Sequence, residues 1–129
     1  MAVLDSSVLV RHFTHDPPDL GRRATAYLEA ASAGQLLLTD VVVSETAVVL
    51  QLYYRQSRTA VARALRALLA APQIVVADRK LLARTTDLYE SGSSFVDAYV
   101  VAIAERESAP VASFDRRITR GSGAVRVEP

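Results

Sequence analysis

Four acidic residues stand where carboxylate chemistry has a structural reason to gather. Asp5 closes the apolar run Ala2-Val3-Leu4, and Asp115 follows Val111-Ala112-Ser113-Phe114. In parallel α/β sheets ligands collect outside the carboxyl ends of strands, so two acids leaving two strand ends can meet on one rim. Glu45 has Val41, Val42, Val48, Val49 and Leu52 at its helical neighbour positions. That spacing places it in an apolar stripe, where an unpaired carboxylate costs roughly several kcal/mol unless a cation, hydrogen bonds or a proton offsets it. Asp97 lies three residues after Ser94, a capping-box spacing with aspartate in the usual place of glutamate or glutamine.

Each acid also has a purely structural explanation. Asp5 can cap the next helix, Asp115 can start a turn before Arg116-Arg117, Asp97 can serve its own cap, and Glu45 can pair with an arginine. Asp78, after Ile74-Val75-Val76-Ala77, follows the same strand-then-acid pattern and reads as a helix N-cap. If Asp5, Glu45, Asp97 and Asp115 converge, their mutual repulsion raises some of their pKa values, and a divalent cation relieves it. An oxygen-only donor set favours Mg or Mn over zinc. The pair His12 and His15 sits at i,i+3 beside Asp16-Pro17-Pro18 and reads as ordinary exposed histidines near a helix end.

Composition narrows the classes further. With 129 residues, 50% of them hydrophobic and 22% charged, the chain is expected to form one domain with its own core rather than a disordered or low-complexity segment. No cysteine is present, which removes disulfides, thiolate catalysis and cysteine-ligated metals. No apolar run approaches the ~18 residues of a membrane span and no secretory leader is evident, so a soluble, cytoplasmic protein is expected. The net charge of +1 is too mild to announce a nucleic-acid partner, although Lys80 is the sole lysine and all other basic residues are arginine. There is no P-loop, no dinucleotide glycine fingerprint beyond Gly121-Ser122-Gly123 and no Gly-x-Ser-x-Gly elbow. A phosphoreceiver domain needs a mid-chain strand-end Asp and a late lysine, and neither stands at the expected place.

The elements that must position these acids alternate. Short apolar strands are predicted at Ala2–Leu4, Leu36–Leu38, Ile74–Val76 and Val111–Ser113, with Val125–Val127 as a final candidate. Helices are predicted at Ser6–Phe13, Leu20–Ala33 with Gly34 as C-cap, from Thr39-Asp40 to about Gln56, from Ser57 or Arg58 to Pro72, Asp78–Ser91 and Phe95–Arg106. Such alternation implies right-handed crossovers and a three-layer α/β/α domain around a mostly parallel sheet. Tyr53 and Tyr54 extend an apolar helix and read as core or as interface.

In order, Val3-Leu4-Asp5-Ser6-Ser7-Val8-Leu9-Val10, Ser44-Glu45, Phe95-Val96-Asp97-Ala98 and Val111-Ala112-Ser113-Phe114-Asp115-Arg116 resemble the PIN-domain ribonucleases, especially the VapC-type toxins. The likeness runs from Asp5 to Asp115 and rests on ordered acids in fitting local settings rather than on one short motif. It implies a metal-dependent endoribonuclease in which Asp5, Glu45, Asp97 and Asp115 bind one or two Mg or Mn ions, with Asp5 and Asp97 as the most direct ligands. It further implies supporting hydroxyls at Ser7 and Ser113, and hydrolysis by an ion-activated water to a 5'-phosphate and a 3'-hydroxyl. Arg11, Arg116, Arg117 and Arg120 are candidate contacts to the RNA phosphates, with a solvated basic surface as the alternative. A homodimer and a small antitoxin are the implied partners, and exposed apolar surface near Leu52, Tyr53 and Tyr54 suits either.

Two departures stand out: Ile118 replaces an aromatic residue frequent after the fourth acid, and the segment beyond Asp115 is basic. The alternatives to a toxin are a degenerate PIN-fold module that binds RNA or protein without cutting, and a PIN nuclease of RNA processing outside any toxin pair.

Overall fold

A computed structural model describes all 129 residues. The chain falls into two compact units, residues 1–77 and 78–129. The first opens with β1 (Ala2–Val3), α1 (Ser6–Thr14), α2 (Pro18–Ala30) and β2 (Leu36–Leu37). It continues through α3 (Asp40–Val48), a π-helical turn (Val49–Tyr53), α4 (Arg58–Ala70) and β3 (Ile74–Val75). The second comprises α5 (Arg79–Glu90), α6 (Phe95–Glu107), β4 (Val111–Ala112) and β5 (Arg126–Val127).

All strand pairs are parallel. In the first unit the order is β1-β2-β3, with Ala2 opposite Leu36 and Leu36 opposite Ile74. Parallel neighbours require long crossovers, which α1 with α2, and α3 with α4, supply. The register puts Leu4, Leu36, Leu38 and Ile74 on one face of the sheet, where all four are buried, while on the other face Leu37 and Val75 are half-buried and Val3 at the edge is 66% exposed. Behind them α4 contributes Val61, Leu65, Leu68 and Leu69, which the helical period puts on one side, all of them buried. Ser57 caps α4 by accepting from Ala60 N at 3.1 Å.

In the second unit β4 pairs with β5, Val111 opposite Arg126, and residues 113–125 form the crossover. Here α5 and α6 pack together over Leu82, Leu88, Tyr89, Phe95 and Val101, all buried, with the rings of Tyr89 and Phe95 5.9 Å apart. A bidentate pair ties the middle of α5 to the last turn of α6, Arg84 Nε donating to Glu105 Oε1 at 2.8 Å and Nη2 to Oε2 at 3.0 Å.

Two expected boundaries move. Helix α2 ends at Ala30, with Ala31 already extended at ψ 139°. Gly34 is therefore not its cap: at φ 73° it makes the turn into β2, its N–H donating to Pro72 O at 3.0 Å. The long helix after Thr39 is not uniform either, since it changes to π geometry at Val49 and stops at Tyr53. That turn leaves Leu52 and Tyr53 in solvent, 71% and 77% exposed, so Tyr53 is not core. Tyr54 is half-buried and donates from its hydroxyl to Asp16 Oδ2 at 2.9 Å.

Candidate functional site

The second unit brings two of the predicted acids together. Asp97 and Asp115 line one cavity of about 410 Å³ with Ser91, Ser94, Arg117 and Arg120. Asp97 sits in the first turn of α6, where the partial positive charge of the helix end favours a carboxylate. Ser94 supplies the cap, accepting from the Asp97 backbone N–H at 3.1 Å. The capping spacing therefore uses Asp97's main chain and leaves its half-buried side chain to the cavity.

Asp115 leaves the end of β4 at the start of the crossover. Its Oδ1 accepts from Arg117 N at 2.9 Å, and its own N–H donates to Ser113 Oγ at 3.0 Å. Ser113 is held in turn by Arg126, whose Nη1 donates to its carbonyl at 2.7 Å. The basic segment after Asp115 thus folds back on the acid, turning Arg117 and Arg120 into the cavity while Arg116 stays exposed outside its lining.

In the first unit Asp5 ends β1, where Leu4 N donates to Leu37 O at 2.9 Å, and it caps α1. Its Oδ2 accepts from Ser7 N at 3.1 Å. The Ser7 hydroxyl, then this backbone bond, hold the exposed Asp5 carboxyl below its ordinary value and favour its ionised form. Ser7 therefore contacts the Asp5 carboxylate directly. Arg11, midway along α1, lines a different cavity with Ser7, Arg23 and Tyr27.

Glu45 corrects the sequence reading. It is exposed, and so are the expected apolar flanks Val41 and Val48, at 77% and 41%. Apolar residues surround α3 on every side, so the period carried no phase; Val43, Thr46 and Ala47 face inward instead. Burial therefore gives no reason for a carboxylate at this position, and its role rests on the family resemblance alone.

Two other acidic or imidazole candidates have structural duties. Asp78 caps α5, its Oδ1 accepting from Leu81 N at 3.0 Å, while its Oδ2 takes Arg106 Nη1 at 3.0 Å. These contacts, the backbone bond foremost, keep its carboxyl below the usual range. His12 Nδ1 and His15 Nε2 share the Thr25 hydroxyl at 2.7 and 3.3 Å, joining α1 to α2. Burial, aided by the neighbouring His15, lowers the His12 pKa and favours the neutral ring.

Sequence reasoning missed Ser91 and Ser94 as lining residues, and Arg23 and Tyr27 beside Arg11. Tyr27 shares the helical spacing of the apolar Leu20, Ala24 and Leu28 on α2, yet it is 49% exposed. The i,i+4 spacing of Arg23 and Tyr27 was the available signal.

The donor chemistry in the second unit fits a hard divalent ion. Mg asks for one or two carboxylates, with water and substrate phosphate completing its shell, and Asp97 with Asp115 meet that demand. Within neither unit do three or more His, Asp or Glu side chains come close enough to form a closed protein cage.

Comparison with known proteins gives one match: a family model for the PIN domain aligns with residues 2–123. No curated protein matches the chain, and no solved structure does.

Proposed function

The chain belongs to the PIN domain family, whose members are typically nucleases, and from that membership we propose that it is a metal-dependent endoribonuclease acting as the toxin of a type II toxin-antitoxin pair. Its α/β order with parallel strands is consistent with the three-layer α/β/α fold of that family. The family match crosses the boundary between the two units, which supports their working as one nuclease domain. No helix is long and apolar enough to cross a membrane, and we place the protein in the cytoplasm.

The observation that carries the reading is the cavity in which Asp97 and Asp115 face Arg117 and Arg120. Acids alone would repel RNA, and arginines alone would bind it without cutting. Together they divide the work: the guanidiniums hold phosphate oxygens in their donor forks, and the carboxylates hold Mg or Mn. Asp5 and Glu45 are assigned to the same reaction, with Ser7 and Ser113 fixing Asp5 and Asp115. A bound divalent ion supplies Lewis acidity and neutralises charge developing on the phosphodiester. Arg11 and Arg116 extend the phosphate contacts.

Exposed Val41, Val48, Leu52 and Tyr53 support a partner surface, which we assign to a second copy of the chain and to a small antitoxin. An intact set of acids favours cleavage over RNA binding alone. Incubating the purified protein with total RNA in Mg or Mn, and in EDTA, then sequencing new 5' ends, tests the proposal. Discrete metal-dependent cuts that Asp97→Asn abolishes are expected. Intact RNA in every lane, or equal cutting by Asp97→Asn, contradicts it.

A further inference from the structure

The first unit holds a second concave surface, between α1 and α2, that the acids do not use. Its cavity of about 520 Å³ is lined by Ser7, Arg11, Arg23 and Tyr27 over a floor of Leu20 and Ala24. The helices approach closely here because Gly21 faces the His15 backbone, where a Cβ would collide with it. The groove is therefore a fixed part of the fold, pinned also by Thr25 with His12 and His15.

Its chemistry is mixed in a particular way. Neither Arg11 nor Arg23 is engaged in an ion pair, so both guanidiniums are available to an anion. Tyr27 is half in solvent, and no aromatic ring stacks on it. An unstacked aromatic ring lining one groove with two unpaired guanidiniums and small apolar residues matches one nucleotide of a single strand: base on ring, flanking phosphates on arginines. An acidic peptide would use the arginines but would leave the ring face and floor without a planar partner.

Ser7 connects this groove to the chemistry. The same residue that lines it donates its backbone N–H to Asp5 Oδ2. The groove lining therefore includes a residue bonded directly to the Asp5 carboxylate.

We propose that the α1–α2 groove is a nucleotide subsite for single-stranded RNA, in which Tyr27 stacks a base and Arg11 and Arg23 hold the adjoining phosphates. This inference rests on the ribonuclease reading above and adds the place where a base outside the cleavage point is gripped.

Binding without cleavage separates the two ideas. Fluorescence anisotropy of a labelled, 2'-O-methylated RNA decamer, in EDTA, is measured for the wild-type protein and four variants. Tyr27→Ala is expected to raise Kd about tenfold, with an unchanged salt slope, while Tyr27→Phe stays near wild type because stacking survives. Arg23→Ala is expected to raise Kd severalfold and to flatten the log Kd against log salt slope by about 0.7, the loss of one phosphate contact on a single strand. Arg63→Ala, an exposed arginine on α4, removes the same charge and serves as the reference. If Tyr27→Ala and Arg23→Ala bind like Arg63→Ala, or the wild-type protein does not bind the decamer, the subsite is overturned. The ribonuclease reading is decided separately by metal-dependent cuts in total RNA.

Discussion

Asp5 and Asp115 follow the ends of parallel strands and use the same local bond, a carboxylate oxygen accepting from the backbone N–H two residues on. What comes next differs. After Asp5 the chain enters α1, which buries Leu9 and Val10, so the carboxylate caps a helix that belongs to the core. After Asp115 the chain enters the crossover to β5, with Arg116, Arg117 and Arg120 in or near solvent. One device thus serves two ends: in the first unit an acid is placed by a helix that it also stabilises, and in the second by a loop that brings cations to it. Strand-then-acid marks where a carboxylate is held, and the following segment decides whether it also has a folding duty.

The largest effects should fall on catalysis in the second unit. Asp97→Asn and Asp115→Asn are expected to reduce RNA cleavage by more than the roughly 10- to 100-fold that loss of an outer partner costs, with little change in thermal midpoint. Replacing Ser113 by Ala, which removes the acceptor for Asp115 N–H, should stay inside that range. Initial cleavage rates, with thermal melts alongside, check both.

Arg117→Ala and Arg120→Ala probe the cationic half of the same cavity. Each should weaken RNA binding and flatten the salt dependence by about 0.7 if it holds one phosphate. Unchanged slopes in both would make the crossover a solvated basic loop and erase its contrast with α1.

The folding duties should separate the two aspartates. Asp5→Ala is expected to lower the urea midpoint, because α1 loses its cap, while Asp5→Asn preserves it, since asparagine caps as well as aspartate. Asp115→Ala should leave the midpoint nearly unchanged. Equal losses at both positions would mean that the crossover is as integral to the core as α1.

The smallest effect concerns His12. Its folded pKa lies below the unfolded value of 6.5, mainly through burial, so the unfolded chain takes up a proton first. Stability is full above that value and declines as pH falls through 6.5 toward the folded pKa. Urea midpoints at pH 7.5 and 5.5 should show this decline, and His12→Gln should reduce it.

Much of the fold was legible because its signals are local. Thr39, Ser57, Asp78 and Ser94 cap helices that begin where they were expected, and the apolar triplets beginning at Leu36 and Ile74 form strands that bury Leu36, Leu38 and Ile74. Asp5 was readable as both cap and strand-end acid. Legibility failed where the pattern had no phase. In the run from Val41 to Leu52 eight of the twelve residues are apolar and they fall on every side of the helix, so spacing could not tell that Glu45, Val48 and Leu52 face solvent, nor that the helix widens at Val49. Gly34 was misassigned because a glycine after a helix and a glycine starting a strand turn look alike until Ala31 is seen to be extended. The cavity with Arg117 and Arg120 lay beyond sequence reading because it depends on how residues 113–125 fold back on Asp115.

The most direct measurement compares single-turnover RNA cleavage by wild type, Asp5→Asn, Asp97→Asn and the double variant in Mg. If carboxylates from both units serve one reaction, each single change should remove nearly all activity and the double should fall no further, because groups that act as a unit are not additive. Wild-type rates in either single variant, or logarithmic losses that add in the double, would contradict it.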